Sequence, residues 1–176
     1  MSGHNKWSKI KHKKQASDAK KSKDFTKIVR LLALEARAAL GNRSATGLKA
    51  AIEKARAVNM PGDNIERAIK KGEAAPVSLM TSITYEAYGP GGVAIIIEAL
   101  TENRNKAAAE IKHILSKHDI SLAGIGAASW AFQKEGSSWV PKTTIDVNET
   151  DLVAVENLIE ELENNDEVQE VFINTS

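Results

Sequence analysis

The chain contains no cysteine. Disulfides, thiol nucleophiles and thiolate metal sites are therefore excluded, and a reducing compartment fits. No stretch approaches the apolar length of a membrane span, and no apolar signal core follows the lysine-rich start. A transit peptide would be rich in Arg and poor in acids. The first thirty residues instead carry nine Lys, one Arg and two Asp, so they read as mature protein, and a cytoplasmic location with no membrane partner is expected.

Catalytic constellations are equally scarce. The four histidines stand at positions 4, 12, 113 and 118. His113 and His118 are five apart, which puts them on different faces of a helix rather than over one metal. No Ser sits in a nucleophile elbow. "GPGG" at residues 89–92 lacks the Lys-Ser/Thr pair of a phosphate-binding loop and suits a hairpin turn. The acidic run "ENLIEELENNDE" reads as the solvated face of an amphipathic helix. Neither enzyme activity, cofactor, metal nor small-molecule substrate is expected.

What is present is a charge split. Residues 1–71 hold 18 Lys plus Arg against 6 Asp plus Glu, whereas residues 72–176 hold 6 against 17. The formal net charge of +1 conceals halves of +12 and −11. Such asymmetry suggests a polyanion-binding module joined to a scaffold that the same polyanion repels. Mutual attraction of the two halves is the plainer alternative. With 176 residues and 42% hydrophobic content, the chain can build two small cores.

Hydrophobic periodicity gives an α+β chain. Phe25, Ile28, Val29, Leu32, Ala36 and Ala39 follow helical spacing, with Gly41 as a stop. Leu48, Ile52 and Ala55 mark a helix over residues 45–59. In the third, Pro61 is a breaker, Asp63 and Glu66 form a capping box, Ile65, Ala68 and Ile69 make the stripe, and Gly72 terminates. This three-helix bundle carries a basic N-terminal arm over residues 1–75. "KGEAAPVSLMT" marks the boundary to an acidic domain at residues 76–176. There "SITYEAYGPGGVAIIIEAL" gives two strands about a turn, the second buried on both faces. A helix at about 104–118, strands at "ASWAFQ" and "TTIDV", a helix at about 149–163 and a strand at "VQEVFIN" follow. From residue 92 that order is the split βαβ, ferredoxin-like pattern, with "ITYEAY" adding an edge.

The candidate nucleic-acid-binding residues are Lys6, Trp7, Lys9, Lys11, His12, Lys13, Lys14, Lys20, Lys21, Lys23, Lys27, Arg30, Arg67, Lys70, Lys71 and Arg104. Lysines that neutralise phosphates release counterions, giving salt-sensitive binding that is largely indifferent to sequence. Trp7 and His12 suit stacking on unpaired bases, which favours RNA over plain duplex DNA. For Trp7 a clamp on the bundle surface is an equal reading. Arg104 and Lys106 form a basic spot on the acidic domain, where Thr101 or Asn103 caps a helix. Core or hinge packing is expected of Tyr85 and Tyr88.

Three stretches, "SGHNKWSKIKHKKQASDAKKSKDFTKIVR", "AVNMPGDNIERAIKKG" and "YEAYGPGGVAIIIEALTENRNKAAAEIKH", resemble the YebC/PmpR family in the family's order. That resemblance implies a helical N-terminal domain with ferredoxin-like parts. It also implies a regulator of gene expression, acting either on the ribosome in translation or on DNA in transcription. A protein partner for the acidic domain, and a pure protein-interaction module, are further expectations. The resemblance marks Gly3 to Lys27, Asn59, Met60, Pro61, Arg67, Tyr85, Tyr88, Gly89 to Gly92, and Asn103 to Asn105. Family members usually carry a third small domain between "ASWAFQKEG" and "VPKTTIDV". Here those segments are joined directly through Gly136 to Trp139, a short form of two domains.

Overall fold

A computed structural model describes residues 18–74, 80–136 and 138–175. They fall into two compact units that meet in sequence between Met80 and Thr81. The first is helical, with α1 at Asp18–Ala38, α2 at Thr46–Ala57 and α3 at Gly62–Ala74. Its core holds Leu32, Ala36, Leu48, Ala51, Ala55, Met60, Ile65, Ala68 and Ile69, the stripes set by helical spacing.

The α2–α3 corner explains "NMPG". Asn59 takes a left-handed φ of 59°, its N–H reaches the Arg56 carbonyl, and the Met60 N–H reaches that of Ala55. This is a Schellman stop, with Met60 as its buried apolar contact. The Pro61 carbonyl then accepts from Asn64 and Ile65, so α3 is already under way at Gly62. Asp63 lies inside the first turn, displaced from the cap position expected of it. Gly72 corrects a second expectation: it is buried within α3 and terminates nothing. A Cβ there would lie 2.2 Å from the Ala33 carbonyl oxygen of α1. Glycine lets the two backbones touch.

The second unit pairs β1 (Thr81–Tyr88), β2 (Ala94–Thr101) and β5 (Val168–Ile173) in the order β1-β2-β5. Both pairings are antiparallel, with Thr84 opposite Glu98 and Ile96 opposite Phe172. Gly91 and Gly92 in the β1–β2 turn have φ of 70° and 79°, which glycine alone adopts without strain. Helices α4 (Arg104–Lys117) and α5 (Glu149–Asn164) complete the unit with a hairpin of β3 (Phe132–Glu135) and β4 (Ser138–Pro141).

Strand β2 is buried on both faces, as its apolar run predicts. Ile95, Ile97 and Ala99 join Ile111, Leu115, Leu158 and Leu162 from the helices. Ala94 and Ile96 join Ala128, Ala131 and Phe132 on the other side. Each fully buried Ile contributes about 1.5–3 kcal/mol.

The strand–helix–strand–strand–helix–strand order from residue 92 is present, but its strands do not share one sheet. β3 and β4 form a separate two-stranded sheet, and β1 fills the edge beside β2. The "TTIDV" stretch is no strand: Ile145 makes a single bridge to Thr175, and the pairing partner of β3 lies earlier, at "SWVP". Pairing runs from Phe132–Pro141 to Glu135–Ser138, so a two-residue connection closes the hairpin. A tight turn pairs the nearest extended segment, ahead of the more β-branched one.

Candidate nucleic-acid interface

Among the basic candidates, Lys6, Trp7, Lys9, Lys11, His12, Lys13 and Lys14 lie outside the described residues, as does the side chain of Lys20. Lys21 and Lys23 are exposed in the first turns of α1, and Arg30 is half-buried further along. Lys27 is 7% exposed, so its stem is packed away rather than offered to solvent. It sits one turn before Leu31, which packs on the bundle core, and amphipathic stems readily cover apolar surface.

Arg67, Lys70 and Lys71 line one side of α3, with Arg67 and Lys71 exposed. Their i, i+3, i+4 spacing places them side by side, away from the stripe of Ile65, Ala68, Ile69 and Gly72 that the helix buries. Two of the three acids of that helix are engaged elsewhere, while Asp63 sits exposed one turn before Arg67. Glu66 takes the Arg43 guanidinium at 3.1 Å, and Glu73 approaches it at 3.6 Å. Arg43, on the α1–α2 connection, was not a sequence candidate, and nothing local in "GNRSA" signals its role. It holds both carboxylates on one side of α3, and among the described residues no ion pair engages Arg67, Lys70 or Lys71. A helix side with three exposed cations, and one acid at its N-terminal end, can neutralise phosphates without base readout.

The expected basic spot on the acidic unit divides. Arg104 is exposed at the start of α4, near enough to Tyr85 that its charge acts against the burial that raises the Tyr85 hydroxyl above its ordinary value. Lys106 is committed: its Nζ lies 3.0 Å from Glu167 and 3.8 Å from Glu110, and these acids hold the ammonium above its usual range. Asn103 caps α4 by accepting the Lys106 N–H at 3.0 Å, while Thr101 Oγ1 accepts the Asn103 N–H at 2.9 Å. Both proposed capping residues take part.

The second unit also holds a carboxylate that sequence reasoning passed over. Glu86 of β1 is 6% exposed and accepts N–H groups from Gly126 at 2.8 Å, Ala128 at 2.7 Å and Ser129 at 2.8 Å. Burial pushes its pKa up, yet the combined donors bring it below the usual carboxylate range. On the same face of β1, the Tyr88 hydroxyl accepts from Trp130 Nε1 at 2.8 Å and donates to the Ala127 carbonyl. Of the two tyrosines expected in core or hinge packing, Tyr85 packs on the core, while Tyr88 is 39% exposed. The period-2 alternation of β1 places residues 84, 86 and 88 together. Their cover, a loop forty residues on, has no signal near them. Among the described residues no helix is long and apolar enough to cross a membrane, and no cluster of three or more His, Asp or Glu is placed to hold a metal.

Comparison with known proteins follows the two units. The family model described as the TACO1/YebC protein N-terminal domain matches residues 5–75, and that of the TACO1/YebC second and third domain matches residues 80–138. The second match ends at the first residue of β4. A probable transcriptional regulatory protein of Petrotoga mobilis is 47% identical over 175 residues, covering 98% of this chain and 70% of that protein. One from Thermotoga petrophila is 45% identical over 170 residues, covering 95% and 67%. The crystal structure of a conserved hypothetical protein, Aq1575 from Aquifex aeolicus, superposes with a TM-score of 0.78 at 27% identity, covering 93% of each chain. With both units matched in order and nearly half of all residues shared with such relatives, the chain belongs to the TACO1/YebC family.

Proposed function

We propose that this chain is a non-catalytic, nucleic-acid-binding regulator of gene expression that grips RNA phosphates with its helical unit, on the ribosome. The observation that carries the reading is the exposed Arg67–Lys70–Lys71 face, from which Arg43 draws off Glu66 and Glu73 and leaves Asp63 as the one acid beside it. It belongs to the half of the sequence with 18 basic against 6 acidic residues. The basic residues sit in the second half of α3, whereas its first turn carries Asp63. A groove-reading helix presents its N-terminal residues to base edges, and an acid there repels the flanking phosphates. That arrangement favours backbone-directed, sequence-tolerant binding, the mode suited to structured RNA. The acidic unit would then set orientation or meet a protein.

The second reading, a DNA-binding transcriptional regulator using the same face, draws on the names of the relatives from Petrotoga mobilis and Thermotoga petrophila. Competition separates the two. Labelled chain is incubated with purified ribosomes and increasing random duplex DNA across a salt series. The RNA reading requires ribosomes to win at physiological salt. Equal competition by duplex DNA, with a reproducible footprint on one promoter, would establish the second reading instead.

A further inference from the structure

We propose that the hairpin side of the second unit is a stacking platform for an unpaired base of single-stranded RNA, an inference that rests on the RNA reading above. Trp130 supplies the ring, and Lys134 and Lys142 meet the flanking phosphates. Trp130 is 57% exposed, yet it is tethered. Its Nε1 donates to the Tyr88 hydroxyl at 2.8 Å, and that hydroxyl donates to the Ala127 carbonyl. The preceding backbone is fixed as well, because the Ala128 and Ser129 N–H groups both end on the buried Glu86 carboxylate. An indole anchored through its nitrogen and more than half exposed can take a base on its ring, and it loses little freedom in doing so.

Two cations belong to the same hairpin. Beyond the Phe132–Pro141 pair, the Lys142 N–H reaches the Ala131 carbonyl at 2.8 Å, which sets Lys142 beside the residue that follows Trp130. Lys142 is exposed and enters no ion pair among the described residues. Lys134 lies over the Trp139 ring at 5.0 Å, with its Nζ 4.0 Å from Glu98 and its side chain 54% exposed. Rings set among cations are how sequence-tolerant proteins hold single strands, since every base has a face to stack and every phosphate a charge to neutralise.

The second unit is acidic as a whole, but its acids are not spread evenly. Helix α5 carries six Asp or Glu and no Lys or Arg. Its Val155, Leu158, Ile159 and Leu162 pack with Ile95 and Ile97 on one face of β2. The Trp130 loop and the hairpin cover the other face, where Ala128, Ala131 and Phe132 pack with Ala94 and Ile96. Residues 120–145, which make this cover, contain Lys134, Lys142 and a single acid, Glu135. Among the strand acids beneath, Glu86 is occupied by three loop N–H groups. Glu98 accepts Trp139 Nε1 at 2.6 Å and Thr84 Oγ1 at 2.9 Å, and Glu170, paired across from it, is half-buried. A phosphate chain is thus repelled from the α5 side and admitted at the hairpin.

The test titrates full-length chain into fluorescein-labelled oligouridine of about twelve nucleotides, and into an RNA duplex of the same length, by anisotropy across a salt series. Trp130→Ala should weaken oligouridine binding about tenfold, the loss of one stacked base, with the salt slope and the duplex affinity unchanged. Trp130→Phe deletes the bond to Tyr88 but keeps a ring, and it should stay near wild type. Lys142→Gln should instead lower the salt slope by about 0.7, one single-strand phosphate. Wild-type affinity for oligouridine in Trp130→Ala would overturn the platform, and so would an equal loss on the duplex. A Trp130→Phe chain as weak as the Ala variant would overturn it too, because the tethered loop rather than the ring would then be responsible. Loss of ribosome co-sedimentation in Trp130→Ala, with oligouridine binding intact, would give the surface to a protein. Each of these outcomes leaves the RNA reading of the α3 face standing. A wild-type chain that binds neither RNA nor ribosomes sinks both.

Discussion

Glu86 and Ala128 lie forty-two residues apart in sequence, yet the Ala128 N–H reaches the Glu86 carboxylate at 2.7 Å. Gly126 and Ser129 point their N–H groups at the same side chain. Replacing the carboxylate by an amide removes the charge and presents a donor to donors. Glu86→Gln should therefore lower stability by about 2–3 kcal/mol, read by urea denaturation. It should also accelerate hydrogen exchange at Gly126, Ala128 and Ser129 ahead of β2. The folded pKa of Glu86 is depressed, so its contribution is present above the unfolded carboxylate pKa and is lost as pH falls through the folded value. Wild type should lose loop protection in that acid window, and the Gln variant should not. Identical acid profiles would mean the carboxylate is not ionised in its cradle.

Gly72 faces the Ala33 backbone, and two principles give opposite signs there. Helix propensity favours Ala over Gly by about 1 kcal/mol. Packing opposes it, because an added Cβ falls 2.2 Å from a backbone oxygen and 2.7 Å from a Cα, neither of which can swing aside. Overpacking costs about 1–3 kcal/mol and more when the obstacle is backbone. Gly72→Ala should lower the thermal midpoint and speed exchange in α1 and α3. A raised midpoint would show that the helices separate freely at this crossing.

Those two sites also mark what the sequence discloses. Stripes such as Leu48–Ile52–Ala55 and the apolar run of β2 are local, and they placed every helix and the β1–β2 hairpin. Gly72 looked like a terminator because a glycine after two lysines fits a helix end; its reason for being glycine lies on α1. Glu86 carried no signal of its own because the N–H donors that hold it come from a distant loop. β4 was misplaced because "TTIDV" has the better β composition, whereas a two-residue turn decided the pairing. In the candidate site, the i, i+3, i+4 cations of α3 were visible in sequence. The burial of Lys27 and the diversion of Glu66 and Glu73 to Arg43 depend on three-dimensional neighbours.

The α3 face makes a quantitative prediction about salt. If Arg67, Lys70 and Lys71 each neutralise one phosphate, changing all three to Gln should flatten the plot of log affinity against log salt. The slope should fall by about 0.7–0.9 for each phosphate no longer neutralised. Weakening should be uniform across RNA sequences, since phosphate contacts carry no base information. Arg43→Gln should act in the same direction through a different route. It releases Glu66 and Glu73, whose charges then oppose the neighbouring phosphates, while stability changes little because exposed pairs contribute under about 1 kcal/mol. Unchanged slopes in the triple variant would remove α3 from the interface.

The β3–β4 turn makes the last prediction, and it concerns the family's architecture. Pairing closes at Glu135–Ser138, with Gly136 at φ 62°, and the match to the second and third domain model stops at residue 138. Relatives such as those of Petrotoga mobilis and Thermotoga petrophila are longer, with this chain spanning 70% and 67% of them. The resemblance places their additional domain between these strands. A hairpin tip is where a chain tolerates insertion, because loop-closure entropy grows only logarithmically, about 0.6 kcal/mol per doubling of length. The hairpin is secured away from its tip by Phe132 in the core, by the Lys142 N–H to the Ala131 carbonyl at 2.8 Å, and by Trp139 Nε1 to Glu98 at 2.6 Å. Inserting a flexible Gly/Ser segment of about twenty residues between Gly136 and Ser137 should thus cost no more than about 2 kcal/mol by denaturant titration. The same insertion between Gly91 and Gly92, a turn seated against Val147 and Asp151, should cost more. If the order were reversed, the hairpin turn would be a structural necessity, and the junction with the longer relatives would have to lie elsewhere.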